Sequence, residues 1–133
     1  MSTALARGAL VALLVLGLAA CSVILIAPYD EITDWQLTNL HRKIGGILDA
    51  LPGVIHEHAA EAFSSVRADV RTLTTRNRSR PLNDHTVAQL TVIAATWDRI
   101  EALVKLGPMS RGEVEVMRRT LDVEIRAALA LEI

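Results

Sequence analysis

From Asp30 onward, apolar positions recur every three or four residues, and the pattern breaks three times. The first series is Leu37, Leu40, Ile44, Ile47 and Leu51, whose 3-4-3-4 spacing is that of a coiled-coil seam, with Trp35 near its start and Ile32 and Leu48 widening the stripe. Asp30 is placed to cap this helix, with Pro28 before it, and Glu31 and Asp34 fall in the first turn, where the helix dipole favours negative charge. Gly45-Gly46 costs about 2 kcal/mol relative to two alanines. The pair predicts either close approach by a neighbouring helix or a weak point. Pro52-Gly53 ends the helix or kinks it sharply.

The second series runs from about Val54 to Leu73 and puts Ile55, Ala59, Ala62, Phe63, Val66, Val70 and Leu73 on one face. Glu57, Glu61, Arg67, Asp69 and Arg71 fall on the other, solvated face, and the small residues Ala59, Ala60 and Ala62 predict tight packing. Thr74 to Pro81 has no periodic apolar face and reads as a loop. Asn83 or Asp84 then caps a third helix, with Val87, Leu90, Ile93, Ala94, Trp97, Ile100 and Val104 inward, and Gly107-Pro108 stops it. Ser110 and Glu113 have the spacing of a capping box. The fourth helix buries Val114, Met117, Leu121, Ile125, Ala128 and Leu129 and turns Arg118, Arg119, Asp122, Glu124 and Arg126 to water. An apolar last residue predicts a docked C-terminus. With no alternating segment of strand length, the expectation is an all-α antiparallel bundle of four helices, or of three if Pro52 only kinks the chain.

Composition agrees with this pattern. Hydrophobic residues make up 51% of the 133, but the aromatics are only Tyr29, Trp35, Phe63 and Trp97. An Ala, Leu, Val and Ile core suits helices better than a sandwich. The net charge of −1 gives no basic footprint for nucleic acid. A single cysteine excludes an internal disulfide and a multi-cysteine metal site.

Upstream of Asp30 the periodicity disappears. Arg7 is the only charge there, and it precedes the unbroken apolar run from Gly8 to Leu18, which has the length and flank of a signal peptide. Leu18-Ala19-Ala20-Cys21 follows, and it resembles the lipobox of bacterial lipoproteins. That resemblance implies recognition of Leu18, Ala19 and Ala20 by signal peptidase II, cleavage before Cys21, and a diacylglyceryl group and N-acyl chain on Cys21, with no other cofactor. Residues 1–20 are then the signal peptide, 21–29 the lipidated cysteine and a short tether, and 30–133 the bundle domain. Removing Arg7 with the leader takes the net charge to about −2. Ser22, in place of an aspartate, favours the outer membrane facing the periplasm by resemblance to enterobacterial sorting. The apolar run nevertheless continues through Val23 to Ala27. From Ala9 to Ala27 it is long enough, at roughly 28 Å, to cross a bilayer as an uncleaved anchor. Both alternatives export the remainder.

The lipobox, the Tyr29 to Asp34 segment, Leu37-Thr38, and the closing segment from Met109 to Glu113 and on through Arg118-Arg119 to Glu132 are together similar to a group of small helical lipoproteins of Gram-negative bacteria. The middle of the chain, from Pro52 to Pro81, matches only in its helical character. The resemblance implies an exported, lipid-anchored helical protein and brings no assigned activity.

Candidate chemistry is sparse. His56 and His58 point about 200° apart on a helix and cannot share one ion, and His58 with Glu61 offers too few ligands for zinc. Both read as solvated, and His41 and His85 as surface or boundary residues. No pattern for nucleophilic catalysis, a phosphate loop or a paired glycosidase acid occurs, so no enzyme and no small-molecule substrate is expected. Tyr29, Asp30, Glu31 and Asp34 are candidates for partner docking. Arg67, Arg71, Arg76, Arg78 and Arg80 gather positive charge toward one end, with Arg76, Arg78 and Arg80 placed to meet a membrane or an acidic partner at about 1 kcal/mol per basic residue. Fewer than ten residues separate Cys21 from Asp30 and span at most about 30 Å. An up-down bundle would therefore hold the arginine segment and the tether at the same end, close to the bilayer. The functional expectation is a lipid-anchored envelope protein that binds or supports an envelope partner. The alternatives are a single-pass inner-membrane subunit anchored by residues 9–27 and a phage-type lysis or surface-exclusion lipoprotein.

Overall fold

The structure, a computed structural model, describes residues 28–132. It consists of α1 (Glu31–Ala50), α2 (His56–Arg78), α3 (Asp84–Leu106) and α4 (Arg111–Ala130), and no strand occurs among the described residues. Each helix packs on its neighbours in the chain, and α4 closes back on α1. The result is an antiparallel four-helix ring about 30–35 Å long. Pro52 lies in a tight turn rather than a kink, and Gly53 takes φ 77°, a left-handed conformation suited to glycine. The Gly53 N–H donates to the Met109 carbonyl at 2.9 Å, which ties the α1–α2 turn to the α3–α4 turn.

The core is built from Leu37, Ile44 and Leu48 of α1, Phe63 and Val66 of α2, Leu90, Ile93, Trp97 and Ile100 of α3, and Leu121 and Ile125 of α4. The Trp97 indole donates to the Phe63 carbonyl at 3.1 Å and packs on the Phe63 ring at 4.9 Å, so the largest buried side chain leaves no orphan donor. On α1 the inward positions are Thr33, Leu37, Leu40, Ile44 and Leu48. Leu48 is fully buried and Ile47 partly buried against the core, whereas Ile32 and Trp35 of the expected stripe lie outside it. A straight helix turns a strict 3.5-residue seam by only about 20° per heptad, so Leu51, its last member, is still buried.

The glycine pair does not mark a close approach. A Cβ at Gly45 would meet only the Arg118 guanidinium at 3.8 Å, and one at Gly46 would meet nothing within 4 Å. Gly46→Ala should therefore raise stability by about 1 kcal/mol, measured as a higher denaturant midpoint. A fall in the midpoint would show a constraint on Gly46 that its surroundings do not account for.

The expected loop from Thr74 to Pro81 is corrected: α2 continues through Arg78. Its inward series is Val66, Val70, Leu73 and Asn77, whose last member is polar and therefore invisible to apolar periodicity. Asn77 holds the final turn by donating to the Leu73 carbonyl at 2.9 Å. The capping box at Ser110 and Glu113 is formed in both directions, at 3.3 and 2.7 Å. The C-terminal end of α4 is docked through Glu132, whose carboxylate accepts from the Thr86 hydroxyl at 3.0 Å. Ile133 lies outside the described residues.

Candidate functional site

The start of α1, the end of α2, the start of α3 and the end of α4 meet at one tip of the bundle, and Asp30 is its hub. As the α1 N-cap, Asp30 accepts from the Ile32 N–H at 3.3 Å and from the Thr33 hydroxyl at 2.6 Å. Arg76 donates to it at 3.0 Å from the last turn of α2, and Arg80 reaches it at 2.9 Å from the α2–α3 turn. Arg80 also donates to the Pro28 carbonyl at 3.0 Å, so it holds the chain where it enters the bundle. Burial disfavours the charged form of Asp30, but the Thr33 hydroxyl and the two arginines outweigh it and hold the carboxyl below its ordinary range.

Beneath this clamp lies a buried polar layer. Asn77 accepts from Asn83 and lies 3.5 Å from the Thr33 hydroxyl, whose hydrogen goes to Asp30, and Thr86 donates to Glu132. Glu132 lies 3.9 Å from Arg80 and is almost fully buried. Burial pushes its carboxyl up, and the Thr86 hydrogen bond and Arg80 charge offset this only in part. The ionised form is thus disfavoured by folding, and that cost is present at neutral pH and relieved as pH falls through the raised pKa. Glu132→Gln keeps an acceptor for Thr86 and removes the charge. It should leave the bundle as stable at neutral pH or more so, and weaken its stabilisation on mild acidification, both read from denaturant midpoints. A marked loss of stability at neutral pH would show that the Arg80 contact outweighs burial.

The sequence-predicted residues divide clearly. Arg76 and Arg80 are engaged with Asp30, whereas Arg78 is exposed. Tyr29 donates to Asp34 at 3.4 Å, and Glu31 is exposed. Leu18, Ala19, Ala20 and Cys21 lie outside the described residues. Arg67 does not belong to this tip. It pairs with Asp98 and Glu101 of α3 partway along the bundle, and Arg71 lies about 10 Å back from the end of α2. Several residues expected to face water instead link helices: Arg118 with Asp49 at 2.5 Å, Asp122 with His41 at 2.7 Å, and Glu124 with Thr96 at 2.7 Å.

A second polar cluster sits nearer the other end and escaped sequence reasoning. Glu101 of α3 is buried and is bound by Arg67, by His56 at 2.9 Å and by Lys105 at 3.5 Å. Its burial favours protonation, but the hydrogen bonds from His56 and Arg67 and the charges of Arg67 and Lys105 outweigh that and lower its pKa to about 2. An ionised carboxylate only accepts, so His56 Nε2 carries the hydrogen. The expectation of a solvated His56 is therefore corrected: it is half-buried, bound to Glu101 and stacked on Phe63 at 6.3 Å, whereas His58 is exposed. The signal available in the sequence was weak, because Glu101 follows Trp97 by four residues and so shares its inward face.

Both clusters are internally paired salt-bridge networks. Among the described residues no three His, Cys, Asp or Glu side chains are grouped to hold a metal ion, and no helix is long and apolar enough to cross a membrane. The ion pairs clamp the helices to one another and, at the Asp30 tip, hold Pro28, to which the N-terminal segment is joined. The arrangement defines an antiparallel four-helix bundle with a polar cap at the end where that segment enters. No protein-family model, curated protein or solved structure matches the chain.

Proposed function

We propose that the protein is a lipid-anchored envelope lipoprotein, held through acylated Cys21, whose helical bundle acts by binding at a membrane surface rather than by catalysis. The observation that carries this reading is the apolar leader followed by Leu18-Ala19-Ala20-Cys21, with Cys21 nine residues before Asp30, the clamped first residue of the domain. The clamp of Asp30 by Arg76 and Arg80, with Pro28 held by Arg80, supports it: a tethered domain transmits position only if its point of attachment is fixed. The group of Gram-negative lipoproteins that the two ends resemble has the same plan. Cys21→Ser tests the reading. The variant should accumulate as an unprocessed precursor with a longer chain than the wild type. Equal chain length for both would favour the second reading, an uncleaved inner-membrane anchor over residues 9–27, which rests on the unbroken apolar stretch from Val23 to Ala27. An envelope protein partner, retained on gentle detergent extraction, would complete the accessory role.

A further inference from the structure

Two facts place the Asp30 tip next to whatever holds the leader. The apolar run of the leader ends at Ala27, and the next residue, Pro28, is fixed to the tip by Arg80 at 3.0 Å. Around this point four large apolar side chains are exposed. Tyr29 is 58% exposed, Ile32 52%, Trp35 66% and Leu82 48%. Scattered exposed apolar residues are ordinary on a protein surface, but these four gather at one tip and include both exposed aromatics of the described residues. Leu82 is held outward at the α2–α3 turn with φ 63°, a conformation that leucine rarely adopts. Ile32 and Trp35 are three residues apart on one face of α1. Trp35 lies only about 6 Å along the axis from the helix start, where it borders a groove between α1 and α2 lined by Asn39, Lys43, Asp69 and Thr72.

Charge decides what this tip meets. Within one turn of it the described residues carry Arg76, Arg78 and Arg80 against Asp30, Glu31, Asp34, Asp84 and Glu132, a balance of −2. Arg76 and Arg80 are already paired with Asp30. The basic attraction to anionic headgroups that an arginine-rich segment suggests is therefore largely consumed inside the fold. Tryptophan and tyrosine, by contrast, favour the interface between headgroups and acyl chains whatever the lipid charge. We infer that the tip formed by Tyr29, Ile32, Trp35 and Leu82 seats in the interface of a zwitterionic bilayer, so that the bundle stands upright on the membrane instead of swinging on its tether. The inference rests on the membrane-tethered reading given above.

The two tryptophans make the docking directly measurable. Trp97 is 1% exposed in the core, so Trp35 is the one that a lipid-borne quencher reaches. The full chain is reconstituted into phosphatidylcholine vesicles whose lipids carry bromine on the upper acyl chain, and the vesicles are floated to confirm that the chain is bound. Roughly half of the tryptophan emission should be lost, as one of the two indoles lies in the interface. Trp35→Phe should abolish that loss, and Ile32→Asp with Leu82→Asp should reduce it while leaving the buried Trp97 emission unchanged. Added anionic lipid should not deepen the quenching. A chain that floats with the vesicles yet shows no quenching overturns the docking and leaves the tether standing, as does quenching that grows with anionic content. A chain that does not float overturns the tether and the docking with it.

Discussion

Replacing Asp30 by alanine is expected to lower the stability of the bundle by about 3 kcal/mol. The loss has two parts: an N-cap worth about 1 kcal/mol, and charge-assisted hydrogen bonds of about 1.5–3 kcal/mol, reduced because Arg76 and Arg80 can regain water. Those arginine side chains are 35% and 22% exposed. Asp30→Asn loses the charge and keeps one oxygen, enough for Thr33 or Ile32 but not for both, so it should cost less than alanine, about 2 kcal/mol. The carboxyl of folded Asp30 is held below its ordinary range, so its stabilisation is complete at pH values above that range and vanishes as pH falls through the folded value. Denaturant midpoints of the wild type and Asp30→Asn should therefore converge on acidification. An Asp30→Ala chain as stable as the wild type would reduce the clamp to a surface contact.

The second large effect belongs to Glu101. Its pKa falls from 4.5 unfolded to about 2 folded. The corresponding stabilisation, up to about 3 kcal/mol at 1.36 kcal/mol per pH unit, is present above the unfolded value and is lost as pH drops from there toward 2. Glu101→Gln cannot ionise and keeps an acceptor for only one of Arg67 and His56, which bind different carboxylate oxygens. Its stability should be lower than that of the wild type at neutral pH and should change much less across this acidic window. Identical pH profiles for the two proteins would show that Glu101 does not govern this part of acid unfolding. The midpoint is best followed by far-ultraviolet circular dichroism, because His56 and Trp97 flank the cluster and complicate fluorescence.

The all-α class, the four apolar series and the Ser110–Glu113 cap were legible because apolar spacing and capping chemistry are local, while spacing alone leaves open whether Pro52 ends or only kinks a helix. What periodicity missed was polar. Asn77 occupies an inward position at the end of α2, so a rule that follows apolar residues stopped at Leu73 and made a loop of the last turn. Thr33 and Glu101 are inward for the same geometric reason and were equally hidden. Their burial is tolerated because partners on other helices satisfy them, and those partners are known only once the helices are placed. The arginines illustrate the converse. Arg76, Arg78 and Arg80 look equivalent in sequence, but the carboxylate of Asp30, 46 residues before Arg76, engages Arg76 and Arg80 and leaves Arg78 exposed. That the start of α1 and the arginines share one end followed from counting up and down helices; their pairing did not.

The central claim, a bundle held to a membrane through lipidated Cys21, is tested most directly by the intact mass of the protein extracted from membranes of a Gram-negative host. The account predicts a chain that begins at Cys21 and carries added acyl mass. A chain that retains Met1 or Ser2, with Cys21 unmodified, would contradict it.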